Sequence, residues 1–419
     1  MPLGVLDISD RLWSGEARIE DVHPFSLIGD VEELADGVAF VPSFANVSAL
    51  RTDEGLVLVD TGSAPLAQHV HGTLRTWDAS PLHTAVYSHG HIDHVFGVPL
   101  FAAEAAENGW PAPKVVAHEA LPARFDRYVL TAGYNEIVNQ RQFSMPDLRW
   151  PREYHYPDVT YAGAMDLSVG GLDLRLTHCR GETDDHTWTW VPSRKVLCCG
   201  DLFIWASPNA GNPQKVQRYP REWAAGLRTM AELGAELMLP GHGVPIAGAD
   251  RIRQALTESA ELLEHLHDET VAMMNAGARL DDIVHTVKAP QHLLDRPYLR
   301  PVYDEPEFVV RNVWRLYGGW WDGDPSRLKP SPAGVLAAEI ASLAGGAERL
   351  AQRALAVAEA GDLRLAGHLA ELAVQAAPES PVAQQAQQQV YAERARTEAS
   401  TMAQGVFRWT SEQAFTRDA

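Results

Sequence analysis

The sequence has little cysteine, few basic residues and no long hydrophobic run. Only 3 of its 419 residues are cysteine, and two of these are adjacent, at Cys198 and Cys199. Such a set cannot form a disulfide framework, and it suits a reducing compartment. No stretch approaches the roughly 20 apolar residues that a membrane-spanning helix needs. The N-terminus has neither a basic start nor an apolar run, so no signal peptide is expected. These features predict a cytoplasmic protein without a membrane span.

The shortage of basic residues limits the possible partners. Lys and Arg number 35 against 55 Asp and Glu, which gives a formal net charge of −20. Binding to nucleic acid by counterion release needs Lys and Arg clustered on one face. We therefore expect no nucleic-acid partner, and an anionic substrate would need a local group of donors.

The first part of the chain has the pattern of an α/β domain. Short β-rich runs alternate with turn signals and helical stretches between residues 38 and 245. Several of these runs end in Asp or His where the strand gives way to a loop, a common position for catalytic groups. The predicted strands are 38–41, 56–59, 84–88, 114–117, 172–177, 187–191, 195–199 and 236–239.

The second part of the chain has the pattern of helices. After Pro245 apolar residues recur at three- and four-residue spacing, and residues 333–396 are rich in Ala and Glu. Residues 347–358 and 363–376 predict a helical hairpin with small residues inside. A chain of this length favours two domains, which we place at 1–250 and 251–419.

A dense group of metal-binding residue types follows the predicted strand 84–88. His89, His91, Asp93 and His94 place three histidines and one aspartate within six residues. Neutral imidazole and carboxylate are the usual ligands of Zn²⁺ and related divalent ions. Residues two apart in an extended segment point the same way, so His89 and His91 can hold one ion. Asp93 and His94, in the turn that follows, face a second ion. The spacing predicts a two-metal site.

This group resembles the signature of the metallo-β-lactamase superfamily. The resemblance implies an αββα sandwich that binds two divalent ions, with Zn²⁺ the expected metal. It implies that Asp201, in a Cys-Gly-Asp turn, bridges the ions and that His242, in Pro-Gly-His-Gly, is the last ligand of the second ion. It also implies catalytic roles for Asp93 and Asp201, and a supporting hydrogen-bonding role for Asp60.

The third ligand of the first ion departs from the superfamily pattern. Where the superfamily usually has Gly-His, this sequence has Gly181 followed by Glu182. A carboxylate oxygen is an acceptable Zn²⁺ ligand. The alkyl sulfatases of this superfamily use a glutamate there, so the resemblance favours Glu182, with His178 and His186 as alternatives. If Glu182 is the ligand, His186 is expected to orient a ligand from behind.

The C-terminal part carries a second resemblance. Residues 298–308 and 317–323, followed by the Ala-rich helices, look like the dimerisation domain of the alkyl sulfatases. This resemblance implies an all-α dimerisation domain and a homodimer that hydrolyses alkyl sulfate esters with metal-activated water. The sequence has no counterpart of the sterol-carrier-type domain of longer members, so a preference for long-chain detergents is not implied.

A sulfate ester needs hydrogen-bond donors, and two segments of the sequence could supply them. One follows Asp201, and the other lies between the histidine group and Glu182. The alternative is a solvated loop with scattered basic residues, because loop polarity alone is only a correlation. The candidate substrate-binding residues are Asn209, Asn212, Lys215 and Arg218 in the first segment and Tyr134, Asn135 and Arg141 in the second.

Two other functions fit the same residues. This fold supports many reactions, so another ester, such as a lactone, a thioester or a phosphoester, could be the substrate. Outside the enzymes, the chain could be a binding or scaffold protein with a structural metal. Structural zinc sites are usually closed by four protein ligands. A ligand set with room for water therefore favours hydrolysis.

Overall fold

The computed structural model describes residues 3–413. These residues form two compact units that alternate along the chain. Among the described residues, the first unit contains the chain up to Ala132, Pro151–Ala278 and Asp282–Gly319, and the second contains Gly133–Trp150, Arg279–Asp281 and the chain from Trp320 onward.

Two β-sheets form the first unit's core. The strands are β1 (Glu32–Ala35), β2 (Val38–Val41), β3 (Val47–Thr52), β4 (Gly55–Val59), β5 (Leu82–Val86), β6 (Lys114–His118), β7 (Val159–Tyr161), β8 (Ala164–Val169), β9 (Leu172–His178), β10 (Thr187–Val191), β11 (Val196–Ile204), β12 (Leu237–His242) and β13 (Ile246–Ala247). One sheet has the order β1-β2-β3-β4-β5-β6-β7, and the other has the order β13-β12-β11-β10-β9-β8. The strands from β4 to β7 are parallel, and so are β11 and β12.

Helices cover both sheets and form the second part of the chain. α2 and α3 contact the seven-stranded sheet, and α6 and α7 contact the other sheet. This arrangement confirms the predicted αββα sandwich. The helices are α1 (Val5–Ser14), α2 (Ala67–Trp77), α3 (Val98–Asn108), α4 (Leu121–Leu130), α5 (Ala132–Phe143), α6 (Pro220–Ala231), α7 (Ala249–Asn275), α8 (Leu280–Thr286), α9 (Gln291–Leu294), α10 (Pro306–Gly318), α11 (Pro325–Leu328), α12 (Ala333–Ala344), α13 (Ala347–Glu359), α14 (Leu363–Ala376), α15 (Pro381–Thr397) and α16 (Thr401–Gln413).

The central strands are buried on both faces. All residues of β2, β4 and β11 are buried, and their sequences are nearly continuous apolar runs. Such runs are expected where both faces of a strand are covered. Each predicted strand is present, with ends that differ by a few residues. β1, β3, β7, β8 and β13 were not predicted.

The predicted ligands and the supporting residue Asp60 lie on these buried strands or just after them. Asp60 follows β4, His89 follows β5, and His242 is the last residue of β12, while Asp201 lies within β11. β5 ends at Val86 rather than at the predicted residue 88. The chain leaves the sheet there, and the Ser88 amide donates to the Asp60 carboxylate instead of a neighbouring strand.

The second compact unit contains the predicted helical hairpin. α13 and α14 occupy the predicted ranges within one residue. Small residues fill the space between them, since Ala354, Ala366 and Ala370 are completely buried. The Asp362 carboxylate accepts a hydrogen bond from the Leu365 amide and so caps α14.

From Ala249 to residue 413 the structure contains helices and no strand. None of the helices described in the structure has the length and apolarity of a membrane span.

The hairpin makes a stability prediction. Ala370 is fully buried between helices, so we expect Ala370→Leu to overpack this interface and cost about 1–3 kcal/mol. Ala356→Leu, on the exposed side of α13, is the matched control and should change stability by less than about 0.5 kcal/mol. Equilibrium chemical unfolding followed by circular dichroism measures both. Equal stability of the two variants would show that the interface has room for a larger side chain.

Candidate metal centre

Four side chains form the first group of possible metal ligands: His89, His91, Glu182 and Asp201. The Nε2 atom of His89 is 3.4 Å from Glu182 Oε2 and 3.7 Å from Asp201 Oδ2. The Nδ1 atom of His91 is 3.5 Å from the same Glu182 oxygen. Donors on a tetrahedral zinc ion lie about 3.3 Å apart when each bond is about 2.0–2.1 Å. The first group therefore has nearly the dimensions of a zinc site.

A second group contains Asp93, His94 and His242. The Nε2 atom of His242 is 3.4 Å from Asp93 Oδ2, and that of His94 is 3.7 Å from the same oxygen. Asp201 also reaches this group, with Oδ1 3.4 Å from His94 Nε2 and Oδ2 3.2 Å from His242 Nε2. The carboxylate of Asp201 therefore lies between the two groups.

The donor set fits divalent cations. The His94 Nε2, Glu182 Oε2 and Asp201 Oδ1 atoms are buried without a hydrogen-bond partner. Leaving such an atom unpaired normally costs about 1–3 kcal/mol, so most buried polar atoms are paired. Imidazole nitrogens and carboxylate oxygens that converge in this way are the ligands that zinc and related metals prefer.

Asp60 lies behind both groups and orients two histidines. Its Oδ2 accepts a hydrogen bond from His94 Nδ1 at 2.7 Å, which leaves His94 Nε2 facing the site. The same oxygen accepts a 2.7 Å bond from the Ser88 hydroxyl, which is 2.9 Å from His89 Nδ1. Asp60 has a φ of 60°, a conformation that Asp and Asn adopt more readily than most residues. These hydrogen bonds of Asp60 agree with the supporting role that the sequence predicts for it.

His186 and His178, the alternatives to Glu182, lie outside both groups. The Nε2 atom of His186 accepts a hydrogen bond from the Asp201 amide at 3.1 Å. His178 instead contacts the backbone carbonyl of Asp184 at 2.9 Å. His186 is therefore placed to orient Asp201 from behind, which is the role predicted for it.

Two buried residues that the sequence did not single out hold the backbone after His89. The Gly90 amide donates to Asp185 Oδ2 at 2.8 Å, and Arg124 Nε donates to Asp185 Oδ1 at 2.8 Å. A Cβ atom at Gly90 would lie 2.7 Å from Arg124, so this position requires glycine. Asp185 could have been suspected because it precedes His186, but Arg124 has no such signal.

The backbone around His242 is held in a similar way. The Asn46 side-chain amide donates to the two backbone carbonyls that flank the Gly241-His242 pair. The Nδ1 atom of His242 contacts the Phe44 carbonyl, which leaves Nε2 facing the site. A Cβ atom at Gly241 would lie 2.1 Å from Asp201 Oδ1. Gly241 is therefore needed for the close approach of this loop to Asp201.

Two of the predicted substrate-binding residues contact Glu182. Asn209 donates to Glu182 Oε1, and Arg218 donates to the backbone carbonyl of Glu182. A guanidinium nitrogen of Arg218 also lies 3.6 Å from Glu182 Oε1. All three side chains are buried. These contacts place Asn209 and Arg218 where they position a candidate ligand and offset its charge.

Asn212 and Lys215 lie on the same segment. The Asn212 amide donates to the buried Asp304 carboxylate at 3.2 Å, so this segment is anchored to a later part of the chain. Lys215 is half-buried. Burial and the charge of Arg218 lower the pKa of Lys215 to about 7, although the Asp93 carboxylate acts in the opposite direction.

The remaining predicted substrate-binding residues lie on helix α5. Tyr134, Asn135 and Arg141 belong to the second compact unit, whereas both donor groups belong to the first. Tyr134 is 64% exposed. Their substrate-binding role stays a prediction.

Tyr303 lies near the donor groups, although the sequence assigned its segment to the dimerisation domain. Burial raises the pKa of Tyr303, and the charges of Glu182 and Asp93 raise it further. The structure places Tyr303 in the same compact unit as the donor groups. The Tyr303 hydroxyl therefore keeps its proton at neutral pH.

The protonation states of the donors differ between residues. Burial holds the pKa values of His89 and His91 well below the usual range, so both imidazoles are neutral. Burial also raises the pKa of Glu182. Burial lowers the pKa of His242, but the charge of Asp201 outweighs it and raises the pKa to about 9. Glu182 and His242 therefore hold protons near pH 7 in the absence of a metal.

These states predict a pH-dependent metal affinity. A metal ion must displace the protons on Glu182 and His242, so we expect its affinity to rise as the pH increases from about 6.5 to 9. Titration with Zn²⁺ against a competing chelator, at several pH values, measures this affinity. Calorimetry in buffers of different ionisation enthalpy should show proton release at pH 7. An affinity that is independent of pH, without proton release, would contradict these protonation states.

A second prediction concerns Asp60. Asp60→Asn preserves the shape of the side chain, and asparagine tolerates the positive φ. The substitution replaces one acceptor oxygen with an NH₂ group, which faces the donors of Ser88 or His94 and cannot accept their hydrogen bonds. We expect zinc affinity to fall by about 10- to 100-fold. Asp53→Asn, at an exposed position, is the control and should bind zinc like the parent chain. Unchanged affinity in Asp60→Asn would exclude a supporting role for Asp60.

Comparisons with known proteins agree with this architecture. Residues 41–242 match the family model of the metallo-beta-lactamase superfamily, and residues 279–415 match the model of alkyl sulfatase dimerisation. A linear primary-alkylsulfatase from Pseudomonas sp. is 27% identical over 351 residues, which cover 78% of this chain and 65% of the relative. The chain thus spans less than two thirds of that enzyme.

Two further relatives extend the comparison. The 2,4-dinitroanisole O-demethylase subunit alpha from Nocardioides sp. is 23% identical over 348 residues, covering 76% of this chain and 86% of the relative. The solved structure of the stereoselective inverting sec-alkylsulfatase Pisa1 from Pseudomonas sp. matches 92% of this chain and 66% of its own, with a TM-score of 0.83 and 22% identity. The structural likeness shows a shared fold. These findings confirm both resemblances: residues 41–242 match the metallo-beta-lactamase superfamily model, and residues 279–415 match the alkyl sulfatase dimerisation model.

Proposed function

We propose that this chain is a metal-dependent hydrolase that cleaves alkyl sulfate esters with water. The observation that carries the proposal is the pair of donor groups joined by Asp201, with Glu182 as the third donor of the first group. The named activities of the curated alkylsulfatase relatives support the choice of substrate. The overall reaction converts an alkyl sulfate and water into an alcohol and hydrogen sulfate.

The two donor groups would hold two divalent ions, with Zn²⁺ the expected metal. His89, His91 and Glu182 would bind one ion. The second group would bind the other, and Asp201 would contact both. When bound, such ions lower the pKa of the attacking water and offset negative charge on the ester.

The carboxylates of the site differ in their access to solvent. The Asp93 side chain is 19% exposed, whereas Asp201 is 7% exposed. We assign Asp93 as the group that accepts a proton from the attacking water, because water can reach it. Asp201 is the other residue with a predicted catalytic role, and as the bridging ligand it would contact both ions.

A sulfate ester brings a negative charge to a site that already contains several carboxylates. Arg218 offsets the charge of Glu182, which it contacts directly. The charges of Asp93 and Glu182 act on the Lys215 side chain, which lies on the same segment as Arg218. We assign Lys215 as the donor to the sulfate oxygens.

We also propose a homodimer and a cytoplasmic location. The match of residues 279–415 to an alkyl sulfatase dimerisation model supports the homodimer. Three buried cysteines with free thiols, Cys179, Cys198 and Cys199, support a reducing compartment.

A second candidate function is the hydrolysis of a different substrate at the same site. The 2,4-dinitroanisole O-demethylase subunit alpha is 23% identical over 348 residues. The name of this relative makes an aryl methyl ether one alternative substrate. Lactones, thioesters and phosphoesters remain the other candidates, because the fold alone does not determine the chemistry.

A substrate screen tests the proposed activity. We expect the zinc-loaded protein to release sulfate from primary and secondary alkyl sulfates and to lose this activity when a chelator removes the metal. We expect Glu182→Gln to reduce the activity to near background and to weaken zinc binding, because an amide is a poorer ligand than a carboxylate. Glu232→Gln, at an exposed position, is the matched control.

The same screen includes aryl methyl ethers, lactones, thioesters and phosphodiesters. Turnover of one of these without sulfate release would reject the sulfate ester in favour of that substrate. Full activity of Glu182→Gln with unchanged zinc content would reject Glu182 as a ligand. Reaction in ¹⁸O-labelled water then shows whether the C–O or the S–O bond breaks.

A further inference from the structure

We infer that Phe25, Phe44 and Tyr303 form an aromatic wall that binds the apolar organic group of the substrate and so determines specificity. The wall lies beside the second donor group. This inference rests on the proposed function and deepens it, because it assigns a binding surface to the part of the substrate that does not react.

The aromatic wall is built around Phe25. The ring centroid of Phe25 is 4.2 Å from that of His242 and 4.3 Å from that of Tyr303. Phe44 lies 5.6 Å from Phe25 and 5.8 Å from His242. These distances are typical of aromatic contacts. Phe25 and Phe44 therefore contact the ring of a candidate metal ligand, and Tyr303 contacts Phe25.

The backbone fixes the position of Phe25. The Gly243 amide donates to the Pro24 carbonyl at 3.0 Å, and the Ser26 amide donates to the His23 carbonyl at 2.9 Å. The His23 ring contacts the Val302 carbonyl at 3.3 Å. The turn that carries Phe25 is thus tied both to the loop after His242 and to the segment that carries Tyr303.

Solvent reaches a donor that neighbours the aromatic wall. The side chains of His91 and Asp93 are each 19% exposed, whereas His89 is completely buried. Asp93 Oδ2 is 3.4 Å from His242 Nε2, and Phe25 packs against the His242 ring. Phe25 and the solvent-accessible Asp93 therefore contact the same histidine.

Their exposure distinguishes Phe25 and Phe44 from ordinary core packing. Phe25 and Phe44 are partly exposed, whereas a core residue such as Phe40 is completely buried. Partly exposed aromatic rings gain further burial when an apolar group binds against them. We expect this burial to favour an alkyl or aryl group and to disfavour a sulfated sugar.

Tyr303 extends the aromatic wall beyond Phe25. Its ring centroid is 4.3 Å from that of Phe25, with an angle of 40° between the ring planes. Tyr303 is 8% exposed, so its ring holds Phe25 in place rather than offering a large surface of its own.

The test measures binding without turnover. The probes are methylphosphonate and hexylphosphonate, added to the zinc-loaded protein and measured by calorimetry. Each buried methylene contributes about fourfold to affinity, so the parent chain should bind hexylphosphonate more tightly. We expect Phe25→Ala to reduce the hexyl-to-methyl affinity ratio by about fivefold to tenfold. Methylphosphonate affinity and zinc stoichiometry should stay unchanged.

The controls separate the aromatic wall from general effects. Leu130→Ala, which removes an 83% exposed apolar side chain from α4, should leave the ratio unchanged. Phe25→Leu should retain part of the parent chain's preference for hexylphosphonate over methylphosphonate. If Phe25→Ala does not fold, Phe25→Leu and Phe44→Ala provide the same ratio test.

Two results would overturn the inference. One is a ratio that is unchanged in the Phe25 and Phe44 variants, and the other is an equal loss of affinity for both phosphonates. Absence of sulfate-ester hydrolysis, together with a ratio that depends on Phe25, would reject the proposed activity and still support the aromatic wall.

Discussion

The buried carboxylate of Asp201 is the contact on which both donor groups depend. It lies within 3.7 Å of ring nitrogens of His89 and His94, which share one loop, and of His242 from a distant part of the chain. A buried charge costs several kcal/mol unless opposite charges and hydrogen bonds surround it. Gly241 leaves room for this carboxylate because it has no Cβ atom. The His186 Nε2 atom accepts a hydrogen bond from the Asp201 backbone amide. Divalent ions held by the two groups would add to the positive charge that Arg218 supplies.

The boundaries of the two family matches do not coincide with the boundaries of the two compact units. The dimerisation match begins at residue 279, yet residues Asp282–Gly319 belong to the compact unit that contains the donor groups. Asp304 from this segment accepts hydrogen bonds from Gly211 and Asn212. The same loop carries Arg218, which contacts Glu182. A helical region that is named for dimerisation thus also anchors the loop that holds a candidate ligand.

Local spacing made the histidine group predictable from the sequence. Four of its residues lie within six positions, and the strand before them is a short apolar run. Glu182 could be assigned only through the resemblance, because His178 and His186 are equally suitable as residue types. The structure separates these candidates by distance, since Glu182 alone of the three joins a donor group. The domain boundary at residue 250 stays a prediction.

Contacts between distant segments could not be predicted in the same way. Arg124, Phe25 and Tyr303 approach the site only because the chain folds back on itself, and nothing in their local sequence marks them. Strands β3 and β8 were missed for a related reason. β8 alternates between exposed and partly buried residues, and β3 ends in polar residues, so neither forms an apolar run.

Anomalous X-ray diffraction at the zinc absorption edge, on crystals of the zinc-loaded chain, tests the central claim directly. The account predicts two anomalous peaks about 3.5–4 Å apart, with Asp201 in contact with both. One peak should lie among His89, His91 and Glu182. A single peak, or peaks that do not contact Asp201, would contradict the assignment of a two-metal centre.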